Sequence, residues 1–217
     1  VLDPRDPLFF VSYPHSGGRF PPSGRPKERD RHVARFFDDL SEHLVNLVPR
    51  GAGADPGFLD RQIQGGEEWH PEVLQALGTS NVFVALLSAP LFTSVWCGKE
   101  WYGFSKREVV GIGPHADPHE TAIVPVVWAT LPAEAAMPSA VTAVQRFVPG
   151  ALPDPAVAEH YRRDGVYGLM VTRQEDAYQM VVWRLAQRIA ALCQSHEVAI
   201  RKFRPGDLSN AFQEEIP

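Results

Sequence analysis

The chain has 217 residues, 44% of them hydrophobic and 22% charged, with a formal net charge of −5. That length suits one domain with a sizeable core, and five Trp with twelve Phe exclude wholesale disorder. The acidic balance argues against non-specific nucleic-acid binding, two cysteines are too few for a disulfide scaffold, and no apolar run nears the roughly 20 residues of a membrane span.

Leu8 to Tyr13 is short and almost wholly apolar, the pattern of a central strand covered on both faces. A Pro-, Gly- and Arg-rich loop follows to Pro26. From Glu28 to Val48 the apolar residues Val33, Phe36, Phe37, Leu40, Leu44 and Leu47 predict one face of a helix, stopped by Pro49 and Gly51. Phe58-Leu59 predicts a very short strand, and Pro71 to Leu77 a brief helix with Pro at its start. Asn81 to Ser88 is the clearest strand. Ser94 is suited to cap a helix running from Val95 to about Val109. Thr121 to Trp128 predicts another strand, and Pro125 inside it forfeits a ladder donor, which places that strand at an edge or a bulge. The stretch 131–170 reads as an irregular insertion, with a weak strand at Gln145 to Val148 and part of Ala156 to Leu169 helical. Glu175 to Cys193 is an amphipathic helix, and residues 201–217 read as a peripheral tail to a single domain spanning 1–200.

Apolar strands alternating with helices predict a three-layer α/β fold of flavodoxin type around a mostly parallel sheet. Such sheets bind ligands beyond the carboxyl ends of the strands, where strand order reverses. That crevice would be flanked by residues 13–18 and 88–96. On the helix capped by Ser94, Trp96 and Glu100 are four residues apart and share a face. A carboxylate near a helix N-terminus is favoured by the dipole, and a neighbouring aromatic supplies a wall for a flat ring. The plainer alternative is a solvated Glu beside a core Trp.

Four stretches, in order, resemble the motifs of the TIR (Toll/interleukin-1 receptor) family. They are Phe9-Phe10-Val11-Ser12-Tyr13, then Phe58-Leu59-Asp60-Arg61 with Ile63, Gly65-Gly66 and Trp69, then Val82 to Ser88 leading into Ala89-Pro90, and finally Ser94 to Glu100. The likeness extends to bacterial TIR-like proteins. It implies cleavage of the N-glycosidic bond of NAD, with NAD as substrate rather than cofactor and Glu100 as the catalytic residue. The resemblance further implies substrate contacts from Tyr13, His15, Ser16 and Arg19 in the first loop, and from Trp69 or Trp96 against a base; Asp60 reads as a turn residue holding its loop, with a ligand role as the alternative. The implied partners are NAD or a related nucleotide and further copies of this chain or other TIR-like domains, with no nucleic acid and no membrane. The other function the family implies is a non-catalytic signalling module acting through self-association. The expected location is the cytoplasm.

Other signals point to bland roles. His115 and His119 flank Asp117 in a Pro-Gly loop with no third ligand nearby, so no metal is expected there. Gly17-Gly18 lacks the spacing of a dinucleotide fingerprint. Cys97 reads as a small buried hydrophobe, since no histidine lies close to it in sequence.

Overall fold

The computed structural model describes residues 6–14, 28–50 (side chains from 31 onward), 54–59, 70–114, 116–131, 133, 137–150 and 155–213. In chain order the elements are β1 (Phe9–Ser12), α1 (Glu28–Leu47), β2 (Gly57–Leu59), α2 (Pro71–Thr79), β3 (Val82–Leu87), α3 (Ala89–Phe92) and α4 (Val95–Ser105). There follow β4 (Val109–Gly111), β5 (Ile123–Val127), α5 (Ser139–Thr142), α6 (Pro155–Val171), α7 (Glu175–Ser195) and β6 (His196–Val198). Four strands form an all-parallel sheet in the order β2-β1-β3-β5, while β4 and β6 make a separate antiparallel ribbon. The expected flavodoxin-like three-layer fold is present.

Period-two alternation divides the core. Phe9, Val11, Val84, Leu86 and Val126 face α1, α6 and α7, whereas Phe10, Phe83, Ala85 and Leu87 face α2 and α4. From β1 the chain passes to β2 on one side, and β3 then returns to the other, so the reversal of strand order lies between β1 and β3.

β5 is an edge strand, as Pro125 requires. In a parallel strand a residue's N–H and C=O both point to the same neighbour. The Pro125 carbonyl points outward and accepts from Phe147 N at 2.8 Å, so the missing donor also points away from β3. Two residues on, Val127 N donates to the Tyr161 hydroxyl at 3.0 Å, and that hydroxyl lies 3.2 Å from the Phe147 carbonyl, to which it donates. No strand forms at 145–148, but this segment and α6 cover the open edge. Much of the expected irregular insertion is thus helical and caps the sheet, which otherwise would present unpaired backbone groups.

Two other expectations need correction. α4 ends at Ser105, four residues early, because Val109 to Gly111 pairs with His196 to Val198 instead of continuing the helix. The tail from 201 is also not peripheral over its described part. Leu208 and Phe212 are buried in the core under α4, and Gly98 and Gly103 admit them: a Cβ on Gly98 would fall 1.7 Å from the Asn210 side chain, and one on Gly103 would fall 2.8 Å from Leu208. Among the described residues no helix is long and apolar enough to cross a membrane.

Candidate active site

Glu100 owes its position to three local features. Ser88 and Ala89-Pro90 end β3 and open the short α3, which turns the chain over the carboxyl end of the sheet. Ser94 then starts α4, its side chain accepting from Cys97 N at 3.3 Å. On β1, alternation sends Phe10 and Ser12 toward α4 while Phe9, Val11 and Tyr13 go to the opposite face. Ser12 is the last residue of β1, so its hydroxyl stands at the strand's carboxyl end, beside the reversal point.

The outcome is a buried contact between residues 88 positions apart, with Ser12 Oγ donating to Glu100 Oε2 at 2.6 Å. Glu100 is 4% exposed and Ser12 1%. The carboxylate sits in the second turn of α4, past the first turn in which the helix dipole acts strongly, so the Ser12 hydroxyl orients it more than the dipole does.

Cys97 lies in the same cluster. Burial first, and the neighbouring charge of Glu100 second, push its thiol up to about 12, while hydrogen bonds with Ser94 and Ser12 act the other way. The thiol is neutral near pH 7 and is no nucleophile, consistent with the bland reading.

Of the other expected site residues, Tyr13 and Trp96 lie among the described ones. Tyr13 is buried in the core on the α1 side of the sheet and so faces away from Glu100. Trp96 is half-buried at the margin of the α4-side core, with the Lys99 ammonium 5.7 Å from its ring centre. His15, Ser16, Arg19, Asp60 and Trp69 lie outside the described residues, as does His115. Among the described residues no group of three or more His, Cys, Asp or Glu is placed to hold a metal.

An aromatic group that sequence reading did not assemble stands at the carboxyl end of β5. Trp128, buried, meets Phe36 at 5.7 Å and Tyr167 at 6.0 Å, and Tyr167 meets His32 edge-on at 5.2 Å. The available signal was Trp128 closing an apolar strand. Its partners come from α1 and α6, far apart in sequence. Comparison of the chain with protein-family models, with curated proteins and with solved structures found no match.

Proposed function

We propose that this chain is a TIR-like domain that cleaves the N-glycosidic bond of NAD, releasing nicotinamide, with Glu100 as the catalytic carboxylate. One observation carries the reading: Glu100 is oriented by Ser12 at the carboxyl end of the sheet, beside the reversal between β1 and β3. Cleavage of this bond builds positive charge on the ribose, and nicotinamide leaves without needing a proton, because its ring nitrogen is cationic in NAD. A fixed negative charge therefore does the main work, as carboxylates do in glycoside hydrolysis. Ser12 holds one carboxylate oxygen and so fixes the orientation of the carboxylate at the strand's end.

Burial sets a condition. At 4% exposure the carboxylate reaches a substrate only when the crevice opens, and self-association is the step to which we assign that opening. The same burial favours a second reading, in which Glu100 is a strut tying α4 to β1 in a non-catalytic interaction module.

Nicotinamide release from NAD, followed across a protein dilution series, separates the two. An assembly-gated enzyme should gain activity per molecule as concentration rises, and Glu100→Ala should lose about 10²-fold or more. Melting curves on wild type, Glu100→Ala and Glu100→Gln show whether each is folded. Absence of release from folded wild type at every concentration would leave the interaction module.

A further inference from the structure

Two strands away from the Glu100 site, beyond the outer edge of β5, lies a groove of about 640 Å³. Its walls are the segment 143–150 on one side and α7 on the other, with the start of β5 as floor. Volumes of this order suit a small organic ligand. Two properties say what kind.

The first is charge. The chain as a whole is acidic, yet this groove carries Arg146, Arg184 and Arg188 against the carboxylates of Asp117 and Glu120. Glu120 is already committed. One of its oxygens accepts from both Thr121 N and Ala122 N at 3.0 Å, and the other is paired with Arg188. Arg146 is exposed and has no ion-pair partner among the described residues. Arg184, which donates to Gln187 Oε1 at 2.9 Å, stands four positions before Arg188 on α7, so both side chains project on one side of the helix. The excess of positive charge is therefore local and includes an uncommitted guanidinium.

The second is the apolar lining. Ile123, Val124, Val144, Phe147 and Val148 contribute to the same walls and floor, and Val148 is 52% exposed. A purely inorganic ion would leave that surface wet. A ligand with a flat or aliphatic body would cover it.

We infer that this groove is a binding site for a small phosphate monoester carrying an apolar body, its phosphate held by Arg146 together with the α7 arginines. Guanidinium forks match phosphate oxygens in pairs, and the three terminal oxygens of a monoester can meet more than one fork at once, as the two of a carboxylate cannot. Glu120 keeps Arg188 in place and holds the turn into β5, where Ala122 takes a φ of 55°, so the floor of the site is preset before ligand arrives.

Calorimetric titration of the full chain with phenyl phosphate, inorganic phosphate and benzoate tests the assignment. Phenyl phosphate should bind saturably and more tightly than either of the others, since only it offers both the dianion and the ring. Arg146→Ala, at an exposed position where the fold should be unaffected, should weaken it by about tenfold, as should raising the salt. Melting curves check that the variant is folded. The proposal fails if wild type shows no saturable binding of phenyl phosphate up to about 10 mM, or if folded Arg146→Ala binds it as well as wild type.

Discussion

A carboxylate taken out of water must be answered by hydrogen bonds, and the Ser12 hydroxyl supplies one to Glu100. This makes Glu100 informative whichever role it plays, because a strut and a catalyst respond differently to the same change. Glu100→Gln keeps the shape and an acceptor oxygen for Ser12 but removes the charge, so a strut survives it better than a catalyst does. Gly165 presents a simpler demand. Its φ of 68° and ψ of −179° lie in a region that only glycine occupies readily, and it interrupts α6 at that point. A Cβ there would fall 2.6 Å from the carbonyl carbon and oxygen of Trp128, whose oxygen accepts from Tyr167 N at 2.8 Å. Gly165→Ala should therefore cost about 2–3 kcal/mol, read as a lower urea midpoint with an unchanged slope.

Arg107 joins three elements at the opposite end of α4 from Ser94. From the turn that ends the helix it donates to the carbonyls of Leu77 and Ser80 at the end of α2, and to those of Val198 and Ala199 at the end of β6. Burial lowers its pKa to about 10, which still leaves it charged at neutral pH. Arg107→Met fills much of the volume but offers no donor. Carbonyls at the end of α2 and after β6 would lose their partner, at an expected cost of about 2–4 kcal/mol in chemical denaturation. Amide exchange in 199–213 should quicken, because this clamp helps hold the segment against α2 and α4. The clamp was invisible in the sequence, since its acceptors are backbone oxygens and their positions depend on the fold. By contrast β1, β3 and β5 were legible as apolar runs, and α1 and α7 as 3.6-residue patterns. Pro125 even marked the edge, because the physics of a missing donor is local. The β4–β6 ribbon was not legible: three-residue strands carry too little pattern, and their pairing joins positions far apart in the chain. At the candidate site the sequence supplied Glu100, through motif and helix position, but not the carboxylate's contact with Ser12. Nor did it show that Tyr13 faces the other side, although strict alternation from Ser12 contains that information.

Among the described residues the buried thiols and phenols share one bias, opposite in sign to that of Arg107. Cys97 is pushed up to about 12 and Cys193 to about 11, each chiefly by burial. Tyr161 and Tyr178 are also raised above the ordinary tyrosine value, again with burial as the first cause, and for Tyr178 the hydrogen bond to Asp39 adds to it. In the unfolded chain these thiols and phenols ionise from about pH 8.5 and about pH 10 respectively. Between those values and their folded ones, the native state keeps protons that the unfolded state has released, so stability must fall as pH rises. The contribution is complete below about pH 8.5 and erodes steadily above it. Denaturant midpoints taken at about pH 8 and about pH 10.5 should show the loss, with little change between about pH 7 and about pH 8 from these groups. Tyr178→Phe removes one of them, and with it the bond to Asp39. That variant should start less stable at neutral pH yet decline less steeply toward alkali. A wild-type midpoint that holds constant from about pH 8 to about pH 10.5 would mean that these side chains meet water in the native state. Such a result would contradict the packing of α7 against α1 on which one face of the sheet depends.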